Sequence, residues 1–419
     1  MPDDLYAFYS QTRRYFEQIC APLTVEDYNL QGMPETSPAK WHLAHTTWFF
    51  ETFLLKPFSS NYTQWNKHFE VLFNSYYNAV GPQFPRAQRG ILSRPSVDEV
   101  YAYRRHVDEQ MSALLSKTSH KNRPQIIERT LLGIHHEQQH QELFFTDLKY
   151  CLFQNPMYPA YDITTPQSKK IETSPLSWSH FEGGLMEIGQ GDGNTQKFEQ
   201  FCYDNETPSH KVWLEPFSFS DRLITNSEYL TFIEDGGYHK PELWLADGWS
   251  TVQALHLNAP LYWKKINSQW YEFSHFGLLP LNLNQPVTHV SAYEADAYAR
   301  WAKARLPTEF EWECVATHTS SSEHVSSLNL LPPSADPSQR MQQLHNHVWQ
   351  WTSSAYQSYP GFKAAEGAIG EYNGKFMCNQ VVLRGSSCVT SPNHSRNSYR
   401  NFFYPKDRWQ FSGIRLAKS

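Results

Sequence analysis

Closely spaced cysteines are missing from this 419-residue sequence. It contains six cysteines, scattered from Cys20 to Cys388, and no two of them are separated by only two residues. Disulfide frameworks and thiolate zinc sites both use more closely spaced or regularly patterned cysteines. The sequence therefore predicts neither kind of site, and it favours a reducing compartment, the cytoplasm.

Long apolar runs and dense basic runs are also missing. No stretch reaches the roughly 18 apolar residues of a membrane-spanning helix, and the first residues show no basic region followed by an apolar one. Lys and Arg number 36 against 42 Asp and Glu, a formal net charge of −6, and no cluster would follow a phosphate backbone. Neither a membrane nor a nucleic acid is an expected partner.

Aromatic residues, in contrast, are abundant, with 14 Trp, 24 Tyr and 26 Phe, which is typical of pockets and irregular cores. The length suggests two domains. In the first half, apolar periodicity predicts four helices, which pack by default as an antiparallel bundle. These helices are expected at residues 3–21, about 39–55, about 96–115 and through 131–150. Ser37 is the expected N-cap of the second, and Ser96 with Glu99 forms a capping box for the third.

The second half of the sequence has a different texture. A polar stretch without periodicity, residues 161–178, is interpreted as a linker. Short apolar pieces follow, bounded by Gly, Pro, Asn and Asp, with one clear helix at 291–305. A Ser/Pro-rich stretch at 317–343 is expected to be a long surface loop. The predicted domains are thus 1–160, a helical bundle, and 179–419, a mixed and irregular module.

Two histidines lie four residues apart in the segment LLGIHHEQQHQELFFTDLKY. Because this segment has helical periodicity, His136 and His140 project from one face, one turn apart, close enough to bind one metal ion. Glu137 follows the first histidine, as in the HExxH motif of zinc proteases. A solvated surface helix is the alternative interpretation.

A third ligand decides between these interpretations. His42 and His45 lie three residues apart in the expected second helix. Either could face the interior of the bundle, and periodicity alone does not choose between them.

The segment from 67 to 94 is mostly loop by composition, but it carries several polar side chains suited to chemistry. They are Tyr76, Tyr77, Arg86 and Arg89. Loop tyrosines usually pack with the hydroxyl in water, and loop arginines are usually solvated, so a role in a site needs further support.

Three quotations together resemble a known family. WHLAHTTWFFETF and HHEQQHQELFFTD resemble a DinB-type helical bundle with a three-histidine metal site. NQPVTHVSAYEADAYARWAKARLPTEFEWE and VVLRGSSCVTSPNHSRNSYRNFFYPKDRWQFSGIRLA resemble the formylglycine-generating-enzyme (sulfatase-modifying) fold, an irregular α+β module related to C-type lectins. The pairing is similar to the ergothioneine-biosynthesis sulfoxide synthases. The implied fold is an N-terminal DinB-like four-helix bundle followed by that irregular module.

The resemblance implies a metal and a reaction. His45, His136 and His140 would bind Fe(II), leaving about three open positions, whereas a structural zinc site closes its tetrahedron. The implied reaction joins a thiol to C2 of the imidazole of hercynine (Nα-trimethylhistidine) and leaves the sulfur as a sulfoxide. O2 accepts four electrons, two from forming the C–S bond and two from oxidising sulfur, so no other reductant is needed.

The resemblance also implies roles for individual residues. The reaction needs a proton or hydrogen-atom donor within about 3 Å of the reacting oxygen, and Tyr77, with Tyr76 beside it, matches the branch of the family that uses free cysteine. Arg86 and Arg89 match a pair that holds the carboxylate of the thiol substrate.

Hercynine itself would be held by three other side chains. Gln139 matches a position that touches the hercynine imidazole. Phe402 and Phe403 are candidates for cation–π contact with the trimethylammonium group, with plain core packing as the alternative.

The sequence leaves several alternatives open. The thiol donor could be γ-glutamylcysteine, for which the family takes its tyrosine from the second module, or a selenosugar could replace the thiol. A DinB-type zinc thiol S-transferase and a non-catalytic lectin-like binding protein are more distant interpretations. The family's RGGS reads RGSS here, with Ser386 in place of a glycine, and this change can alter a tight turn.

Overall fold

The computed structural model of the chain describes residues 2–117, 121–164, 166, 173–191, 201–319 and 329–419, with side chains from Leu5 onward. The contacts divide the chain into two units. Unit 1 contains Met1–Pro156, Asp192–Asp204 and Phe362–Lys375, and unit 2 contains the other residues. Two segments from the second half of the sequence thus belong with the N-terminal helices. The contiguous domains expected at 1–160 and 179–419 and the linker expected at 161–178 stay predictions. Residues 165 and 167–172 of that linker lie outside the described residues.

Unit 1 is helical, and all four expected helices are present. Its helices are α1 (Pro2–Cys20), α2 (Ala39–Phe50), α3 (Lys56–Phe58), α4 (Phe69–Leu72), α5 (Val97–Leu115) and α6 (Arg123–Phe153). Helix α2 continues through a π-helical turn, Glu51–Leu55, into α3. Helix α6 packs against α1 and α2, and α2 packs against α5.

The two helix starts predicted in unit 1 differ in outcome. At α5 the Ser96 hydroxyl accepts from the Glu99 N–H and the Glu99 carboxylate accepts from the Ser96 N–H, which confirms the predicted capping box. The N-cap prediction for Ser37 is wrong, because α2 begins after Pro38 without a side-chain cap. The Ser37 hydroxyl instead accepts a hydrogen bond from Arg89 at 2.8 Å, so a tertiary contact replaces the local one.

Among its described residues, unit 2 is built from short strands, four α-helices and several 3-10 turns. The helices are α7 (Asn226–Glu234), α8 (Ala246–Leu255), α9 (Ala292–Trp301) and α10 (Glu309–His318). The strands are β1 (Trp178–Phe181), β2 (Gly184–Ile188), β3 (His210–Leu214), β4 (Phe217–Ser220), β5 (Trp263–Ile266), β6 (Gln269–Ser274), β7 (Gly277–Pro280), β8 (Trp349–Ala355), β9 (Val381–Arg384), β10 (Asn401–Phe403), β11 (Ser412–Gly413) and β12 (Ala417–Lys418). Helix α9 confirms the helix predicted near 291–305.

In the part of unit 2 that the structure describes, the strands form four small sheets rather than one large one. Their strand orders are β1-β4-β12, β10-β9-β8-β11, β2-β3 and β5-β6-β7. Pairing is antiparallel except between β8 and β11. A core of apolar side chains joins β4, α10 and β12, and includes Phe217, Phe219, Trp312, Val315 and Ala417. The irregular α+β architecture expected for the second half is therefore present.

In unit 2 the structure contains one helix that was not predicted, and it describes only part of the expected surface loop. Helix α10 was not predicted, although Thr308 and Glu311 form a capping box at its start. The expected surface loop at 317–343 has its first residues in α10, residues 320–328 lie outside the described residues, and the remainder lacks helix or strand. Within the described residues, no helix is both long and apolar enough to cross a membrane.

The RGSS turn after β9 keeps a left-handed backbone. Ser386 has φ 62°, a region that favours glycine. Its hydroxyl donates to the Asn346 side-chain oxygen at 3.0 Å and lies 2.8 Å from the Ser395 hydroxyl. These hydrogen bonds offset the backbone cost of a side chain at this position.

Candidate metal centre

Three histidines from two helices converge in the core of unit 1. Helix α6 supplies His136 and His140 and α2 supplies His45, and one nitrogen of each lies within 4.8 Å of the others. All three are buried, His45 completely. His45, and not His42, belongs to this group of neighbouring ring nitrogens.

Hydrogen bonds on the far side of two rings fix which nitrogen faces the cluster. The His45 Nδ1–H donates to the Phe73 carbonyl at 2.6 Å. The His140 Nδ1 lies 2.8 Å from the His42 Nδ1, and the His42 Nε2 lies 3.1 Å from an Asp147 carboxylate oxygen. If Asp147 accepts from His42, then His42 accepts from His140, and the Nε2 lone pairs of His45 and His140 are free to bind a metal.

The third ring is held differently. The His136 Nε2 lies 3.2 Å from the His45 Nε2. Its Nδ1 is buried and has no hydrogen-bond partner among the described residues. Aromatic rings surround it instead, with the Phe49 ring centroid at 4.7 Å and the Tyr372 centroid at 5.7 Å.

The geometry and the ionisation of the three rings suit a divalent cation. Two ligand nitrogens at about 2.1 Å from one ion and 90° apart are about 3.0 Å from each other, close to the 3.2 Å between His45 and His136. Burial, followed by the neighbouring His42, lowers the pKa of His136 to about 3. Burial also holds the pKa values of His45 and His140 well below the usual range. All three rings are therefore neutral at pH 7 and present lone pairs.

Indole rings enclose His45 on both faces. Trp41 stacks on it with centroids 4.6 Å apart, and Trp48 stacks at 5.6 Å. This stacking limits rotation of the ring and excludes water from that side of the cluster.

Glu137, between the two α6 histidines in sequence, projects from a neighbouring side of the helix, toward Arg13 and Arg104. Its carboxylate accepts from the Arg13 Nη1 at 2.8 Å and from the Arg104 Nη2 at 2.5 Å. Burial alone would raise the pKa of Glu137, but the two guanidinium groups lower it overall. Held in this way, Glu137 does not reach a water at the cluster, and the zinc-protease interpretation loses its general base.

The two loop tyrosines lie beside the aromatic layer that covers the histidines. The Tyr77 ring is fully buried, 5.6 Å from Trp48, and Tyr76 stacks on it at 4.6 Å. The Tyr77 hydroxyl forms no hydrogen bond of good geometry within the described residues. Burial, and then the neighbouring Tyr76, raises the pKa of Tyr77 well above its usual value, so its hydroxyl stays protonated at neutral pH.

The two predicted arginines differ sharply in environment. Arg89 is 3% exposed, its guanidinium lies 3.4 Å from the Trp41 ring centroid, and its hydrogen bonds go to the Ser37 and Ser75 hydroxyls rather than to a carboxylate. Burial, then Arg86, holds the pKa of Arg89 well below its usual value. Arg86 is exposed and donates to the Glu35 carbonyl.

A buried guanidinium without a bonded carboxylate is costly unless an anion joins it. Arg89 stacks on Trp41, and Trp41 stacks on His45, so an anion bound by Arg89 would lie one ring away from the cluster.

Gln139 and the two phenylalanines lie in different units. The Tyr372 hydroxyl donates to the Gln139 side-chain oxygen, on the same turn of α6 as His136 and His140. Phe402 and Phe403 lie on β10 in unit 2, where Phe402 stacks on Tyr356 at 4.0 Å. Their proposed contact with the trimethylammonium group stays a prediction.

Three residues near the cluster were not predicted. Asp147 lies seven residues after His140, two helical turns along the same face, so helical spacing could have indicated it. Trp41 lies four residues before His45 and could have been found in the same way. Tyr372 comes from a segment more than 230 residues away in sequence, and no local pattern indicates it.

The sequence was compared with protein families and with characterised proteins. Residues 9–144 match the DinB superfamily, and residues 167–346 and 338–419 match the sulfatase-modifying factor enzyme 1-like domain. The chain is 33% identical over 317 residues to a hercynine oxygenase of Mycolicibacterium smegmatis, covering 69% of this chain and 71% of that protein. It is 34% identical over 243 residues to a hercynine oxygenase of Mycobacterium tuberculosis, covering 52% and 56%.

A eukaryotic protein is a more distant relative. Ergothioneine biosynthesis protein 1 of Schizosaccharomyces pombe is 28% identical over 239 residues, covering 54% of this chain and 29% of that protein. The chain thus spans about half of the second relative and less than a third of this one. It covers more than two thirds of the first relative at 33% identity, and it therefore belongs to the family of ergothioneine-biosynthesis sulfoxide synthases, enzymes of ergothioneine synthesis.

Proposed function

We propose that the protein is a non-heme Fe(II) enzyme that uses O2 to join C2 of the hercynine imidazole to the sulfur of cysteine as a sulfoxide. The observation that carries this proposal is the set of three neutral histidines, His45, His136 and His140, with no fourth His, Cys, Asp or Glu in the group among the described residues. A three-nitrogen face leaves positions open for substrates, as an oxygenase requires.

The atoms and electrons of this reaction balance. Hercynine loses the hydrogen on C2 and the thiol loses its S–H hydrogen, and both hydrogens leave in one water. One oxygen atom of O2 enters that water and the other becomes the sulfoxide oxygen. When bound, Fe(II) would supply the coordination sites and the one-electron steps that this oxidation needs.

Arg89 is the residue we assign to the thiol substrate. Its guanidinium is buried, carries no bonded carboxylate and stacks on Trp41, which in turn stacks on His45. A carboxylate docked there would satisfy the charge and bring the thiol of a small amino acid toward the cluster. Arg86, close enough to affect the pKa of Arg89, adds positive charge beside it.

Tyr77 is the residue we assign to proton transfer. Its hydroxyl is protonated at neutral pH and buried, and it has no hydrogen bond outside the Tyr76–Tyr77 pair within the described chain. The Tyr372 hydroxyl, in contrast, donates to Gln139. This difference favours Tyr77, with Tyr76 beside it, and thereby the branch of the family that uses free cysteine.

Gln139 and the phenylalanines are assigned to hercynine. Gln139 lies on the ligand helix with its side-chain oxygen fixed by Tyr372, which orients the amide for a hydrogen bond with the imidazole. The cation–π role of Phe402 and Phe403 rests on the family resemblance alone.

The test is reconstitution with Fe(II) without oxygen, followed by O2 uptake with hercynine and one donor at a time. Cysteine, γ-glutamylcysteine and a selenosugar are compared, with a zinc-loaded sample alongside. Sulfoxide formation with cysteine supports the proposal. Product only from γ-glutamylcysteine or the selenosugar would change the donor, and activity with zinc and without O2 would replace the reaction class with thiol transfer.

Matched variants separate the site from the fold in the same assay. His136→Ala is expected to abolish turnover, whereas Glu128→Ala, at an exposed position on the same helix, is expected to retain it. If His136→Ala is as active as Glu128→Ala, the three histidines take no part in the reaction.

A further inference from the structure

A short segment from the second half of the sequence, Glu371–Lys375, contacts the loop that carries the tyrosine pair within unit 1. The Glu371 carboxylate accepts hydrogen bonds from the backbone N–H groups of Asn78 at 3.0 Å and Ala79 at 2.7 Å. Each carboxylate oxygen takes one of the two N–H groups. These residues directly follow Tyr77 in the chain.

The same segment makes further contacts on both sides. Lys375, one turn after Glu371, donates to the Glu371 carboxylate at 2.7 Å. Its ammonium group also donates to the Tyr76 carbonyl and lies 5.0 Å from the Tyr76 ring centroid. Tyr372, between them, donates to Gln139 and places its ring 5.7 Å from His136. One turn of chain thus contacts both the tyrosine loop and the helix that carries two candidate ligands.

The tyrosine loop is fixed at other points by the buried Tyr77 ring, which packs on Trp48 and Phe53, and by a bond from Arg89 to Ser75. It lacks helix or strand at residues 74–81, and the internal bonds around Tyr77 come from Asn74, whose side chain accepts from the Tyr77 N–H at 3.0 Å and donates to the Tyr77 carbonyl at 3.0 Å. Those bonds set the conformation of the loop. They do not attach it to another part of unit 1, whereas the Glu371 bonds do.

The relative strengths of these contacts single out the carboxylate. The Glu371 and Lys375 side chains are 20% and 29% exposed, and an ion pair at such a position contributes little by itself. Two backbone N–H groups bonded to one ionised carboxylate are charge-assisted and directional. Glu371 therefore holds the part of the loop that directly follows Tyr77, with Lys375 orienting it, while the buried Tyr77 ring holds the loop from the other side.

We propose that Glu371 is a positioning residue, which acts through the Tyr76–Tyr77 loop to keep the Tyr77 hydroxyl in place during the reaction. This inference rests on the proposed function, because it assigns Tyr77 to proton transfer. It predicts that loosening the loop separates O2 consumption from sulfoxide formation, since a displaced donor delivers its proton late or not at all.

The first test needs no activity. Amide hydrogen exchange at Asn78 and Ala79 is measured in the metal-free protein for the wild type, Glu371→Gln and Glu371→Ala. The matched control is Glu366→Ala, which removes an exposed carboxylate five residues before Glu371. Protection is expected to fall by about tenfold or more in Glu371→Ala, less in Glu371→Gln, which keeps one acceptor oxygen, and not in the control. Unchanged protection in Glu371→Ala would overturn the proposal.

The second test measures product formed per O2 consumed, together with iron affinity. Product per O2 is expected to fall by about tenfold in Glu371→Ala, with partial recovery in Glu371→Gln and iron affinity unchanged. A fall in total turnover at a constant ratio would indicate a merely structural role and overturn the proposal. If the wild type forms no sulfoxide, the proposed function fails, and the exchange experiment still decides whether Glu371 anchors the loop.

Discussion

The two faces of helix α6 bury polar side chains under opposite electrostatic conditions. On one face, His136 and His140 lie among aromatic rings and other neutral histidines, and burial lowers their pKa values. On the other face, Glu137 lies between Arg13 and Arg104 and keeps its charge. Adjacent residues of one helix thus become either lone-pair donors without charge or a charge fully compensated by the protein. The face with the histidines is suited to bind a cation. On the other face the Glu137 carboxylate is already bonded to two guanidinium groups, so it does not bind a metal ion.

The largest expected effect comes from the charged face. Glu137→Ala leaves two buried guanidinium groups facing each other, and removing one partner of a buried ion pair costs about 3–5 kcal/mol. Urea unfolding of the metal-free protein measures this loss, with Glu128→Ala as the control. A loss no larger than that of the control would mean that the two faces do not differ as described.

The neutral face should respond in binding rather than in folding. His136→Ala removes one of three ligands, and we expect iron affinity to fall by at least about 100-fold, more than the loss for an outer-shell partner. Metal titration measures affinity, and urea unfolding of the same metal-free variant checks that stability changes less than in Glu137→Ala. The comparison between the faces is wrong if His136→Ala mainly lowers the free energy of unfolding and Glu137→Ala mainly lowers metal affinity.

The hydrogen bonds behind His140 should give a smaller effect. Asp147→Asn weakens the acceptor that orients His42, and through it His140, so metal affinity is expected to fall by about tenfold. Competition with a chelator measures this. Asp108→Asn is an informative contrast, because Asp108 bonds Arg13 on the charged face and its replacement should leave metal affinity unchanged.

The two faces should lose their contributions to the free energy of unfolding in different pH ranges. The pKa of His136 is about 3 in the folded protein, below its unfolded value of about 6.5, so its contribution to stability is lost as the pH falls from 6.5 toward 3. Glu137, whose pKa is also lowered, contributes stability that is lost only below its unfolded value of about 4.3. Between pH 5 and 6.5, His136→Gln should therefore reduce the slope of unfolding free energy of the metal-free protein by up to about 1.4 kcal/mol per pH unit, and Glu137→Gln should not.

Regular features of unit 1 could be predicted because they depend on local spacing. The four helices, the α5 capping box and the pairing of His136 with His140 all follow from residues within one or two turns of each other. The third histidine could not be derived in this way, since His42 and His45 are both buried and differ only in what faces them. Resemblance to the family selected His45, and the geometry agrees.

Other features depend on contacts that no local pattern encodes. Ser37 does not cap α2 because its hydroxyl bonds Arg89, 52 residues away. Glu371 and Tyr372 reach the tyrosine loop and Gln139 from the far end of the sequence. Arg89 could be proposed from the sequence as a binding residue, but its burial without a bonded carboxylate, which is the physical reason for that role, appears only in the folded chain.

The unequal support behind the three rings has a kinetic consequence. His45 and His140 are each held at Nδ1 by a hydrogen bond, whereas the described residues offer the Nδ1 of His136 no partner. If the three rings bind an ion, we expect its release to begin at His136, whose ring has no such tether, while the other two rings retain the ion. The lifetime of the bound ion would then depend on how often the His136 ring moves, and the neighbouring Phe49 and Tyr372 rings would limit that movement.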